Sequence, residues 1–345
     1  MSRTNNSSST NDLVSLDRMA PALAAALGDD RWLGVGAQLI SGGKSNLTFI
    51  LACDAGELVL RRPPTGDLLP SAHDMAREAR VQRALSGSGV PVAEVVLSDD
   101  GALLGVPCYV MRKVTGHVVR STLPPGYANS ASAREAMAWA FVDTLVAIHS
   151  VDAVMVGLGD FGRAEGFMER QVRRWGAQWE SSRTEEVAEM TELGRRLAAR
   201  VPAPQPGAVV HGDYRIDNVI FDAQDVGRVR AVLDWELSTL GDPLADLGML
   251  MLFWREAGEP PIELIPGVTH LSGFPSRAGV VERYAAASDL DLSALRFYEA
   301  FAHYKFAVIA QGVAARSRTG AMAGQSFGDL DGQVRQLAAS GLTRI

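Results

Sequence analysis

The segment Val209-Val210-His211-Gly212-Asp213-Tyr214-Arg215-Ile216-Asp217-Asn218-Val219-Ile220-Phe221 constrains this chain more than any other. An apolar pair leads into a polar cluster, a second apolar run follows, and Leu233-Asp234-Trp235-Glu236 brings another carboxylate sixteen residues after Asn218. Short apolar runs bounded by polar clusters read as buried strands ending in a functional turn. Such a layout can offer one acid as a base, and can place an amide and a second acid around a metal ion. Magnesium takes oxygen ligands and keeps waters and substrate phosphates in its shell. Phosphoryl transfer needs these parts and little covalent chemistry from the protein.

At 345 residues the chain is long for one core and suits two lobes. Hydrophobic residues at 47% and charged residues at 21% describe an ordinary globular protein. The net charge of −7 argues against a general nucleic-acid binder. Cys53 and Cys108 lack the spacing of a zinc site or disulfide framework, so a reducing, cytoplasmic setting is expected. Residues 1–12 are rich in Ser, Thr and Asn and predict a mobile tail, not a signal peptide or anchor. No apolar run reaches the roughly 18 residues that a membrane helix needs, so no membrane partner is expected.

Leu13, Leu16, Met19, Leu23 and Leu27 recur at helical spacing, with Asn11 or Asp12 as the expected cap. Residues 36–51 predict a hairpin around Ser41-Gly42-Gly43, and 57–61 a third strand. A helix over 72–85 and strands over 90–96 and 106–114 complete a small lobe. After Gly116 the pattern turns helical: Met137, Phe141, Leu145 and Ile148 mark one buried face, and 183–200 predicts an amphipathic helix. Residues 202–206 form a Pro-rich connector. Leu295, Tyr298, Phe301, Tyr304, Val308 and Ile309 mark a late core helix.

Asp213 and Asn218 sit in the frame His-x-Asp-x-x-x-x-Asn of a kinase catalytic loop. In that frame the acid takes or orients the acceptor hydroxyl's proton and the Asn oxygen holds magnesium, with Asp234 as the metal acid of the following strand. The competing reading is a polar turn of a hairpin, where Asp and Asn are common. His211 reads as a packed ring, since no other His or Cys lies at ligand spacing. Arg215 is either a cation on the transferring phosphate or a solvated loop charge. Asp160-Phe161-Gly162 spells a kinase metal tripeptide but precedes the catalytic loop, where it cannot serve.

With these residues in view the chain resembles the aminoglycoside phosphotransferase family of kinase-like enzymes. It is most similar to the branch related to the phosphotransferase domain of acyl-CoA dehydrogenase fusion proteins. The resemblance runs through Gly43-Lys44-Ser45-Asn46-Leu47-Thr48-Phe49, Val59-Leu60-Arg61-Arg62-Pro63-Pro64, the segment from His211 to Asn218, and Asp234-Trp235-Glu236 through Gly248. It implies an α+β, bilobal protein-kinase-like fold, with an N-lobe over 13–112 and a mainly helical C-lobe over 113–345. It further implies ATP and Mg2+ as cofactors, a hairpin tip with Ser45 and Asn46 over the phosphates, and Arg61 as the phosphate cation paired with Glu78. Met111, Lys113 and Val114 would border the adenine at the hinge. Arg61 stands where kinases carry Lys, which keeps the charge and alters the geometry. A P-loop is excluded because Gln38 stands where Gly is required and a strand follows.

The expected reaction is transfer of the ATP γ-phosphoryl group to a small-molecule hydroxyl, with a hydroxyacyl-CoA-type metabolite as the first candidate acceptor. An aminoglycoside is the alternative, and a catalytically inactive nucleotide-binding pseudokinase is the alternative of another class. Asp242 and Asp246 are expected to hold the catalytic loop or cap a helix. Arg173, Arg174 and Lys305 read as solvated helix charges or as cations facing the acceptor, and Trp254, Tyr298 and Tyr304 as core or pocket lining.

Overall fold

The structure, a computed structural model, describes residues 13–40, 46–64, 74–262, 264–318 and 328–345. Contacts divide the chain into two compact units. One runs to Thr115 and takes in Asp234–Glu236; the other comprises Gly116–Leu233 and Leu237–Ile345.

The first unit is an antiparallel sheet of β1 (Gly36–Leu39), β2 (Leu47–Cys53), β3 (Gly56–Arg62), β4 (Val95–Asp99) and β5 (Cys108–Arg112), in the order β1-β2-β3-β5-β4. Side chains alternate across a strand, and this parity sorts the unit. Phe49, Leu51, Leu58, Leu60, Cys108 and Val110 share a face with Met19 and Leu23 of α1 (Leu16–Leu27) and with Trp32. Tyr109 and Met111 point the other way, against Met75 and Ala79 of α2 (Met75–Leu85). Arg61 pairs directly with Tyr109 across β3 and β5, so both reach the α2 face.

Several boundaries differ from the sequence reading. Strand β4 starts at Val95, not residue 90, because Gly89 adopts φ +93° and Pro91 withholds an N–H from a ladder. Helix α1 starts at Leu16 with Ser15 as its N-cap residue; the expected caps Asn11 and Asp12 lie outside the described residues, as does the tail. Asp74 caps α2 by accepting from the Arg77 amide at 2.9 Å.

The second unit contains α3 (Ala131–His149), α4 (Phe167–Ser182), α5 (Ala188–Ala199), α6 (Leu244–Phe253), α7 (Arg277–Ala286), α8 (Leu295–Arg318) and α9 (Leu330–Leu342). The amphipathic helix expected from 183 begins only at Ala188, because Arg183 is the C-cap of α4. Met137, Phe141, Leu145 and Ile148 are buried on α3 as their spacing requires. Nine of the ten α6 residues are buried, so this helix has no solvent face and sits in the core. Gly248 lets α6 approach α8 closely: a Cβ there would come within 2.6 Å of the Tyr298 backbone. Two short ribbons complete the unit, β6 (Ala208–Val210) with β9 (Thr239–Gly241) and β7 (Val219–Phe221) with β8 (Val229–Val232). Among the described residues no helix is long and apolar enough to cross a membrane.

Candidate active site

Strand pairing decides what the segment after Val210 is. β6 pairs with β9 and β7 with β8, so residues 211–218 link two separate ribbons and are not the turn of a hairpin. The link is tied down along its length. Asp246, on α6, accepts from the His211 amide at 2.6 Å and the Gly212 amide at 2.8 Å, and lies 3.2 Å from His149 Nε2. His149 Nδ1 in turn meets the Tyr284 hydroxyl at 2.6 Å. The Gly212 carbonyl accepts from Lys305 Nζ at 3.0 Å, so charged groups from α6 and α8 hold this one residue by both its N–H and its C=O. Gly212 adopts φ +86°, and a Cβ there would lie 2.8 Å from the Leu237 carbonyl oxygen; glycine is required.

Farther along, the Tyr214 hydroxyl donates to the Phe141 carbonyl at 2.7 Å while the two rings stack at 4.4 Å. The Leu233 amide donates to the Asn218 carbonyl at 2.8 Å. His211 is fully buried; its Nε2 is 2.9 Å from the Leu233 carbonyl and its Nδ1 accepts from the Asp213 amide at 3.3 Å. The packed-ring reading of His211 fits these contacts.

This scaffold presents the Asp213 carboxylate between two donors. Oδ1 is 3.2 Å from Arg215 Nε, and Oδ2 accepts from Asn218 Nδ2 at 3.2 Å. Asn218 Nδ2 also donates to the Asp213 carbonyl at 2.9 Å, which leaves Oδ1 as its available side-chain atom. Arg215 lies 3.5 Å from Asp217 and 5.6 Å above the Phe253 ring, so it is not a freely solvated charge. Burial raises the Asp217 carboxyl above its ordinary range despite Arg215. At Asp246 the two backbone donors and two histidines outweigh burial and hold the carboxyl below its ordinary range.

In the sheet unit a second cluster forms around Arg61, whose Nε lies 3.2 Å from Glu78 Oε2 and whose NH2 lies 3.2 Å from Asp234 Oδ1. Glu78 also accepts from Asn46 Nδ2 at 3.0 Å and from the Tyr109 hydroxyl at 3.0 Å. The Asn46 amide reaches Glu236 Oε2 at 3.3 Å as well. Asp234 adopts φ +64°, uncommon for a residue with a side chain. Two carboxylates thus contact one guanidinium, and a third, Glu236, lies close to Glu78. Burial pushes the Glu78 carboxyl up to about 7, with Arg61 pulling down and Asp234 and Glu236 adding to the rise. Arg61 stays firmly cationic, since the negative groups around it outweigh its burial.

The remaining expected residues fall as follows. Ser45 and the hairpin tip 41–45 lie outside the described residues. Asn46 is buried with its amide turned to carboxylates, where the sequence reading had it donating to phosphate. Met111 is buried beside Tyr109; Lys113 pairs with Glu57 at 2.7 Å; Val114 packs partly buried on the same cluster. The Arg112 and Lys113 amides donate to the Glu94 and Glu57 carbonyls, so of the expected hinge amides only Val114's lacks a backbone partner among the described residues. Asp242 accepts from the Leu244 amide and the Tyr298 hydroxyl, at 3.0 and 2.6 Å, one residue ahead of Pro243, the N-cap residue of α6. Phe161 is buried and a Cβ at Gly162 would strike Thr239, so Asp160-Phe161-Gly162 is packing. Trp254 and Tyr298 are core residues, while Tyr304 borders a cavity of about 510 Å³ between α4 and α5. Lys305 corrects its favoured reading: it is no solvated helix charge. Sequence reasoning also passed over His149 and Tyr109, each explained by its buried carboxylate partner.

Among the described residues no group of three or more His, Cys, Asp or Glu side chains is arranged to hold a metal. Asn218 Oδ1 in the helical unit and the Asp234 carboxylate in the sheet unit are each oxygen donors of the kind magnesium takes.

Comparison with known proteins places this geometry. Residues 36–298 match the profile of the phosphotransferase enzyme family. Mouse acyl-CoA dehydrogenase family member 10 is 37% identical over 311 residues, covering 86% of this chain; the chain spans only 28% of that relative's length. A crystal structure from Ralstonia eutropha, named as a candidate aminoglycoside phosphotransferase, superimposes with a TM-score of 0.77 at 32% identity, covering 90% of this chain and 92% of its own. The ternary complex of aminoglycoside phosphotransferase APH(4)-Ia with ADP and hygromycin B shares the fold, with a TM-score of 0.60 at 18% identity, covering 93% of this chain and 98% of its own. With its antiparallel sheet unit, its helical unit and a matching profile across both, this chain belongs to the phosphotransferase enzyme family.

Proposed function

We propose that this chain is an ATP- and magnesium-dependent phosphotransferase that moves the γ-phosphoryl group to a hydroxyl of a small molecule. The observation that carries the reading is the Asp213 carboxylate, held between Arg215 and Asn218 on a link fixed by Asp246 and Lys305. Asp213 takes the acceptor's proton as its oxygen bonds the γ-phosphorus and the bond to ADP breaks. Arg215, 3.2 Å from Oδ1, orients the carboxylate. Arg61, fixed by Glu78, steadies the nucleotide phosphates, and Met111, Lys113 and Val114 border the adenine. Asn218 and Asp234 would hold magnesium, which when bound neutralises charge on the phosphates. A complex of a fold neighbour with ADP supports the nucleotide.

For the acceptor we propose a hydroxyacyl-CoA-type metabolite. Support comes from the similarity to one segment of an acyl-CoA dehydrogenase family protein, where a phosphotransferase would stand beside acyl-CoA chemistry. The test follows ADP release from ATP and magnesium with hydroxyacyl-CoAs, aminoglycosides and protein substrates. Turnover is expected with a hydroxyacyl-CoA, and Asp213→Ala should slow it by on the order of 10²–10⁴. Undiminished transfer by Asp213→Ala overturns the base assignment. ATP binding without turnover of any acceptor replaces the enzyme with a regulatory module.

A further inference from the structure

The phosphotransfer reading leaves Lys305 with donors to spare. Its ammonium gives one hydrogen bond to the Gly212 carbonyl and carries three N–H groups. Among the described residues no carboxylate lies within 4.0 Å of its nitrogen, so nothing neutralises it directly. Burial is the main influence lowering its pKa and Arg174 adds to it, while Asp213 and Asp246 act from beyond ion-pair range to raise it. The indole of Trp175 lies 5.6 Å from Lys305 Nζ and 6.0 Å from Arg174 Cζ, so two cations share one ring. A cation–π contact softens this arrangement but does not supply a counter-charge. Like charges gathered without a counter-ion repel in a partly desolvated place, and a bound anion relieves them.

The geometry points to Lys305 as a specificity-determining residue that, together with Arg174, selects acceptors carrying an anionic oxygen group, carboxylate or phosphate, near the reacting hydroxyl. The inference rests on the phosphotransferase reading, in which Asp213 receives that hydroxyl's proton.

The test uses the full chain with AMP-PNP and magnesium present and reads thermal stabilisation by three probes: glycolate, glycerol 3-phosphate and kanamycin. AMP-PNP must itself stabilise the protein; if it does not, the phosphotransferase reading fails and this inference falls with it. If it does, glycolate or glycerol 3-phosphate should add stabilisation, and which of them does so distinguishes carboxylate from phosphate. Lys305→Met should weaken that probe roughly tenfold or more, Lys305→Arg should restore most of it, and Arg174→Ala should weaken it by a smaller factor. AMP-PNP affinity should stay unchanged in Arg174→Ala. Should Lys305→Met fail to fold, the exposed Arg174→Ala decides. Stabilisation by kanamycin alone, by no probe, or equally in variants and wild type overturns the inference. So does a loss of AMP-PNP affinity in step with the anionic probe, since the cations would then serve the nucleotide.

Discussion

Glu78 in the sheet unit and Asp246 in the helical unit are each 1% exposed, yet their charges are set in opposite directions. Asp246 receives two backbone N–H groups and a histidine, and its carboxyl is held low. Glu78 receives an amide, a phenol and a guanidinium, but shares that guanidinium with Asp234 and lies near Glu236, and its carboxyl rises to about 7. Burial alone therefore does not decide ionisation; the balance of donors against neighbouring negative charge does. Asp246 is a finished brace. Glu78 shares its one cation with another carboxylate.

The comparison is easiest to break at the brace. Asp246→Asn turns an N–H2 group toward a backbone N–H and breaks the buried pair with His149, which should cost about 3–5 kcal/mol, read by urea unfolding. A loss under roughly 1 kcal/mol would show that the link does not depend on Asp246.

Acid should then pull the two units in opposite directions. His303 is buried with its pKa lowered from 6.5 to about 4, so unfolding takes up a proton between those values and the helical unit loses stability as pH falls from 6.5 to 4. Glu78 titrates at about 7 folded and 4.5 unfolded, so its contribution is full below pH 4.5 and is lost as pH rises through 7. Each effect is on the order of 3 kcal/mol. Hydrogen exchange across pH 4.5–6.5 should show the sheet unit gaining protection with acid and the helical unit losing it. Parallel slopes would contradict the contrast.

Gly212→Ala places a side chain at φ +86° against the Leu237 carbonyl and should cost about 1–3 kcal/mol in thermal unfolding. Smallest of all, Glu78→Gln at pH 7 should cost about 1 kcal/mol or less, because the carboxyl it replaces is already partly protonated there. Equal losses for Glu78→Gln and Asp246→Asn would erase the distinction between the two carboxylates.

Much of this arrangement was legible from residues whose neighbours are close in sequence. Strand parity put Arg61 on the face opposite Leu60, and the family resemblance implied Glu78 as its partner, which the 3.2 Å contact matches. The Asp213 and Asn218 frame is local, so its contact followed from spacing. Asp246 could be read as a support because a carboxylate in an apolar run must find donors. Features that depend on distant partners were not legible. Lys305 finds the Gly212 carbonyl 93 positions away, and Asn46 meets Glu236 across 190. Nothing in the α8 pattern separates a lysine turned to a buried carbonyl from one turned to water. The false start of α5 at 183 has a similar cause, since charged residues before a helix look like its first turn until Arg183 is seen closing α4.

The pairing of β6 with β9 and of β7 with β8 also sets where the chain can change length. Residues 211–218 are anchored at Gly212, Tyr214 and Asn218, so one added residue there would shift Asp213 against Asn218. The turn from 222 to 228 closes on itself instead: Asp222 accepts from the Gln224 and Asp225 amides, and Asp225 accepts from Gly227. A tag or reporter peptide spliced between Val226 and Gly227 would lengthen a surface turn and leave both ribbons in register. The same number of residues placed eight positions after Val210 would not be absorbed.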